Sequence, residues 1–347
     1  MDTKSRGVLI PGVVLLTVLA NAGGALTQGD WKVMKTIPIG GTGSWDYVTV
    51  DPKTHRLFVP RSTHTMVIDT VTGKTIADMP GQKIAHGVAL VPEQQRGFIT
   101  DGGGDGAIVV FDLKTNTVLG SIKAQPDADG IIYDPYTKRV LVVSGDKGTL
   151  MIVDPAVDPK EGKIEAVVDL GGAPEFLASD KAGKVFINLM DKNEVAVVDL
   201  KAKRVIARWP VAPGGAPVGM SIDRKAHHLV IGCRKPQKLI IMSSIDGRIL
   251  SSLPIGDTVD ATHAYKGQVF ASCRDGSLTV AKETAVGKFT IEQTVATPKG
   301  AKTMDIDPST DLIYLPTSEY DTAGSGSGLG KSKPGTFMIV VVERSAK

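Results

Sequence analysis

The sequence repeats itself, and the repeat constrains the fold more than any other feature. GVALVPEQQRGFITDGGGDGAIVVFDLKTNTVLGSI, from Gly87, can be laid on GIIYDPYTKRVLVVSGDKGTLMIVD from Gly130 and on FLASDKAGKVFINLMDKNEVAVVDLKAKRVIARWPV from Phe176. Each copy holds an apolar strand, a turn that often carries Asp-Pro, a second strand and a Gly-rich or polar turn. A third strand follows, often ending in Asp (Asp69, Asp112, Asp154, Asp199), and a fourth, more alternating strand closes the copy. Four short antiparallel strands in about 40–45 residues mark a propeller blade. The composition suits this, with 39 Gly and only 5% aromatic residues.

The register is fixed on the residue five before the Asp-Pro turn. It falls at Asp46, His86, Asp129, Glu175, Val218, Asp260 and Lys302, at intervals of 40, 43, 46, 43, 42 and 42 residues. The long interval contains DPAVDPKEGK, an insertion between the third and fourth strands. The seventh unit has three strands after Lys302, ending in TFMIVVV. Its fourth lies at the other end of the chain, where WKVMKTIPIG (31–40) matches GRILSSLPIG (247–256). The expected fold is all-β: one domain over 23–347, a seven-bladed β-propeller of four-stranded antiparallel blades. The N-terminal strand pairs with the C-terminal blade and removes a free sheet edge. An open solenoid or a sandwich fits the end-matching less well.

Residues 1–22 read as a signal peptide. Lys4 and Arg6 give a basic start, Val8 to Ala20 is apolar apart from Pro11, and Ala20-Asn21-Ala22 is a small-x-small cleavage site. The run is short for a membrane anchor, and no cysteine follows it to carry a lipid. A soluble periplasmic or secreted protein starting near Gly23, with no membrane insertion after cleavage, is expected. The net charge is +3 over the whole chain. That offers no electrostatic footprint for nucleic acid.

Units such as HRLFVPRSTHTMVIDTVTGKTIADMPG and KVFINLMDKNEVAVVDLKAKRVIARWPV resemble the bacterial YVTN-type (YncE-like) β-propeller repeat proteins over residues 31–347. The second strand departs from that family: it reads FVPR, VVSG or INLM, without the usual Asn at the fourth place. The resemblance implies the fold. Its members have varied roles, including nucleic-acid binding, surface display and association with redox systems, so it implies no single activity.

In a propeller the first strand of every unit lines the central channel, so equivalent positions form a ring. Six of the seven ring residues are ionisable in a chain that is 22% charged. Four carboxylates facing one channel either take up protons or hold a cation. Asp46, His86, Asp129, Glu175 and Asp260 are the candidate metal ligands. Hard oxygens with one imidazole suit Ca²⁺, Mg²⁺ or Mn²⁺ better than zinc. Trp45, Asp46, His86, Asp129, Glu175, Asp260 and Lys302 are the candidate ligand-binding set, with Trp45, Tyr47 and Phe176 as apolar walls. Asp127 adds negative charge nearby. The same cluster also suits a plain brace of ion pairs between units.

Other motifs carry less. GSGSGLGKS (324–332) lacks the first glycine of a phosphate loop, since Ser325 stands there, and a strand follows it where a helix is needed. DGGGDG (101–106) has Gly103 where a calcium loop needs an acid. Cys233 and Cys273 occupy the same place in neighbouring units and point the same way, so buried free thiols are expected. Arg61, Arg234 and Arg274 fall near the channel face. His55, His64, His227 and His228 fall at turns and read as exposed. His263 reads as packed or hydrogen-bonded. No Ser/His/Asp or Cys/His spacing stands out. The expected function is an exported, monomeric binding protein presenting its charged channel face to a small ligand, cation or protein partner. The alternative is a metal-assisted hydrolase or lactonase acting at the same mouth.

Overall fold

The computed structural model describes residues 30–321 and 329–345. The expected signal peptide lies outside them, as do residues 324–328 of the GSGSGLGKS segment. The chain is all β, a propeller of antiparallel sheets around a channel, and no helix of the described residues is long and apolar enough to cross a membrane.

The expected seven separate blades are corrected to six sheets, five of four strands and one of six. The first two sequence units share the six-stranded sheet, because two of its strands, Arg56–Asp69 and Thr75–Val91, run on unbroken for 14 and 17 residues. Thr75 to Pro80 pairs back on Ile68 to His64, and Ala85 to Val91 pairs forward on Asp101 to Arg96. The Ser62–Ala85 pair carries the ladder across the junction. Counted by its hydrogen-bonded sheets, the propeller is therefore six-bladed, while the seven units still contribute one inner segment each to the channel.

The ends meet as the matching segments suggest. Trp31–Pro38 pairs antiparallel with Met338–Arg344, at the outer edge of the last sheet. Trp31 also reaches the preceding sheet: its ring stands edge-on to Phe270 at 5.2 Å, and its backbone N–H donates to Gln293 Oε1 at 2.8 Å. The first strand thus ties two sheets together.

Apolar clusters fill the space between neighbouring sheets; Phe270 and Val280 of one meet Ile313 and Val340 of the next. Middle strands are buried on both faces and read as continuous apolar runs, as in Arg139–Ser144. The outermost strand Arg204–Pro210 alternates half-buried and exposed residues. The recurrent Asp at the end of the third strand has a local reason. Asp112 Oδ1 accepts the backbone N–H groups of Lys114 and Thr115 at 3.0 and 2.7 Å, and Asp69 does the same for Val71 and Thr72. These are side-chain-closed turns, which Asp forms readily.

The feature that builds the site is a break in each inner ladder. Ala128 pairs with Ser144, but the next partner of the second strand is Ile131, leaving Asp129 and Gly130 unpaired. The same gap holds His86 and Gly87, Glu175 and Phe176, Val218 and Gly219, and Asp260. A bulge of this kind re-aims a side chain, which is why an acid is tolerated at the start of an otherwise apolar strand. Asp46 and Lys302 lie just before their short strands, Thr49–Asp51 and Asp305–Asp307. The glycines allow neighbouring inner strands to approach: a Cβ on Gly130 or on Gly219 would stand 2.6 Å from the carbonyl oxygen of Glu175 or Asp260.

Candidate functional site

The ring residues form a chain of alternating charge around the channel mouth. Arg234 Nη2 lies 2.7 Å from Asp260 Oδ1, and its Nε donates to the Val259 carbonyl at 3.0 Å. The other oxygen of Asp260 takes the Lys302 ammonium, which is 3.8 Å from Asp46 Oδ1. His86 Nδ1 donates to Asp46 Oδ2 at 2.8 Å and stands 3.6 Å from Asp129 Oδ1. The chain then runs out of cations. Glu175, next in the ring, has no ion-pair partner within 4.0 Å among the described residues, and Val218, fully buried, follows it.

Protonation follows from this order. Burial disfavours charge on His86, but the hydrogen bond to Asp46 and the charges of Asp129 and Asp46 outweigh it and lift its pKa to about 9. Burial likewise lowers the Lys302 pKa, and Asp260 and Asp46 more than reverse that, so its ammonium is held protonated. Burial drives the Glu175 carboxyl up to about 7; Arg234 opposes this from a distance, and Asp260 and Asp46 add to it. Asp129 is raised well above the carboxylate range by burial, with His86 pulling the other way. Its Oδ1 is a buried acceptor without a hydrogen bond.

The aromatic residues divide differently from the expectation. Trp45 is 8% exposed and packs on Phe337, at 5.4 Å, and Tyr320, in the core between the first and last units. It is thus a packing residue and does not wall the channel. Tyr47 and Phe176 do: their rings stack at 4.1 Å with 20° between planes, and the Tyr47 hydroxyl donates to the Asp260 carbonyl at 2.7 Å. They come from the first and fourth units, on opposite sides of the ring, so the stack floors the charged mouth.

The structure brings Asp46, His86 and Asp129 together, with ligand atoms all within 4.8 Å of one another. Asp260 is committed to Arg234 and Lys302, and Glu175 stands beside the cluster. Arg234 is the functional residue sequence reasoning placed only loosely. It ends the second strand of its unit and reaches the next unit's ring position. Arg61 is not available to a ligand: it is buried, donates to the carbonyls of Thr42 and Gly43 at 2.8 and 3.1 Å, and lies over the Phe337 ring. Cys233 and Cys273 are free and buried, and burial pushes both thiols up to about 12. His228, expected at the surface, is 5% exposed and edges the Phe289 ring. The first acid of the DGGGDG turn, Asp101, is buried and accepts the backbone N–H groups of Lys83 and Ile84.

The fold defines a β-propeller, and solved structures agree. The chain is similar to the WD40 repeats of RRP9, with a TM-score of 0.75 and 11% identity over 91% of this chain and 100% of that one. It is similar to U3-55K, at 0.73 and 11% over 88% and 97%. It is also similar to a chain of hydrazine synthase from Kuenenia stuttgartiensis, at 0.67 and 12% over 84% and 95%. At such identities the likeness establishes the architecture alone. No protein-family model matches the sequence, and no curated protein matches it.

Proposed function

We propose that the protein is an exported, YVTN-type binding propeller whose channel mouth takes a small cation, either a divalent metal ion or the ammonium group of a ligand. The observation that supports this is Glu175. It is the ring carboxylate left over when every ring cation has been paired, and it adjoins Asp129, whose Oδ1 is buried without a hydrogen bond and has only the His86 ring at 3.6 Å. Two under-neutralised carboxylates at a floored mouth favour a positive guest. Asp129 and Glu175 would hold it, with Asp46 as a further oxygen. Their hard oxygens fit Ca²⁺, Mg²⁺ or Mn²⁺. Asp46 takes the Nδ1 proton of His86, and with a pKa of about 9 the ring also keeps the Nε2 proton that metal ligation would require to leave. This favours capture of a cation beside His86 over metal-assisted hydrolysis through it.

Calorimetric titration of the full chain at pH 8 with Ca²⁺, Mn²⁺ and n-butylammonium tests the reading. One of them should saturate a single site, bind at least tenfold more weakly to Glu175→Gln, and bind negligibly at pH 4.5, where the carboxyls hold protons. Absence of saturable binding by all three, or binding indifferent to Glu175→Gln, overturns it.

A further inference from the structure

Beneath the Tyr47–Phe176 stack the channel continues to the opposite face as a second chamber of about 760 Å³. That volume is ordinary for a small-molecule site. Somewhat more than half of its wall is apolar, with Val88, Ile131, Leu177, Met220 and Ile222 among the lining, and the aromatic stack stands at its inner end. Part-way along runs a polar belt. Ser221, His263 and Asp305 occupy the same position of three successive units, 42 residues apart. Asp305 Oδ1 accepts His263 Nε2 at 3.1 Å and the Ile306 N–H at 2.8 Å, and its Oδ2 accepts the Val50 N–H at 2.8 Å. The carboxylate is thereby satisfied. Ser221 Oγ and His263 Nδ1 are not: both are buried atoms without a hydrogen-bond partner. Buried polar atoms left unpaired are unfavourable until a guest or water meets them.

The outer rim carries charge of the opposite sign to the other mouth. Lys53, Lys181 and Arg224 all line this chamber. Among the described residues none has a carboxylate within 4.0 Å; Asp180, Asp134 and Asp223 act on Arg224 only from farther away. The Arg224 Nε donates to the Ser179 carbonyl at 2.9 Å, leaving the rest of the fork unused by carboxylates. Burial and the neighbouring Arg224 both press the Lys181 ammonium toward its neutral form, outweighing the more distant Asp134, as expected of two cations held close without an ion-pair partner. The acids of this end are engaged: Glu93 by the Tyr133 hydroxyl, and Asp305 as above.

We infer that this chamber binds a small amphipathic carboxylate, its apolar aromatic or aliphatic body against the Tyr47–Phe176 stack and its acid group at Lys181 and Arg224. A polar substituent on the body would meet Ser221 Oγ and His263 Nδ1. The apolar walls supply affinity by burial, and the paired cations choose acid over alcohol. The inference is independent of the cation site, since the two lie on opposite sides of the aromatic stack.

The full chain should be titrated at pH 7.5 with 2-naphthoate and octanoate, and with their uncharged counterparts 2-naphthalenemethanol and 1-octanol. At least one acid should bind saturably, one to one, and at least tenfold more tightly than its alcohol. Lys181→Gln with Arg224→Gln should erase that preference, and Ile222→Trp, which fills the chamber, should abolish binding. Both rim changes are on exposed side chains, so they decide the matter even if Ile222→Trp fails to fold. No saturable binding of either acid, equal binding of acid and alcohol, or a preference that survives the double substitution overturns the inference.

Discussion

Tyr47 lies on Phe176 with ring centroids 4.1 Å apart, although the two residues belong to units on opposite sides of the ring. The pair turns a through-channel into two chambers, acidic at one mouth and basic at the other. It also braces the ring across its diameter. Phe176→Ala should lower stability by about 2–3 kcal/mol, less than a fully buried Phe because Phe176 is half-buried. Urea unfolding followed by tryptophan fluorescence measures it, and a loss under about 0.5 kcal/mol would show that the stack braces nothing.

The His86 imidazolium should make stability fall as solutions become alkaline. Its folded pKa of about 9 lies above the ordinary 6.5, so its stabilisation is complete below pH 6.5 and lost as pH rises through 9. The full effect is at most about 3 kcal/mol. His86→Gln should flatten the curve of melting temperature against pH between 6.5 and 9; an unchanged curve would place the titrating group elsewhere.

Glu175 works in the same direction at lower pH. Its carboxyl binds a proton more tightly folded than unfolded, about 7 against 4.5, so its ionisation costs stability as pH rises through that window. In cation-free buffer Glu175→Gln should raise stability at pH 8 by at most about 3 kcal/mol and leave it nearly unchanged at pH 4.5. A variant less stable than the parent at pH 8 without added cation would mean that the charge is already compensated.

Trp31 fastens the first strand to the preceding sheet as well as to the last. Trp31→Ala should cost about 3–5 kcal/mol, the usual loss for a buried Trp, and deleting residues 31–38 should expose the edge of Met338–Arg344 and promote aggregation. Light scattering and melting temperature report both. A truncated protein that melts with the intact one would assign closure to other contacts.

Cys233 and Cys273 should be silent to a thiol reagent in the native state, since both are buried and their thiols are pushed up to about 12. Two equivalents should react once guanidinium unfolds the chain. Fast native labelling of either would contradict the packing around it.

The ring was legible because the repeat carries its own register: counting back five residues from the turn after each first strand, Asp-Pro in three units, reached every ring position. The partition into sheets was not, because the Ser62–Ala85 junction is a backbone event that leaves no mark in composition. Trp45 was misplaced for a related reason. The two residues flanking Asp46 look alike in sequence, yet the local backbone sends Tyr47 to the axis and Trp45 into the core. The capture of Asp260 by Arg234 depends on reach between units, which single-unit periodicity does not encode. The belt of Ser221, His263 and Asp305 was within reach, three residues along from the register positions Val218, Asp260 and Lys302. It went unseen because a motif search looks for proximity in sequence, and these residues are neighbours only through the ring.

The pairing of Trp31–Pro38 with Met338–Arg344 also sets a timetable. A nascent chain that has emerged only as far as Thr317 has an unpaired edge at Leu312–Thr317, and its opening strand has no permanent place to dock. The earliest strand must wait for the latest, across nearly the whole chain, and contacts that distant in sequence are slow to form. The ring therefore stays open, and threadable, until Met338–Arg344 has emerged and met the opening strand.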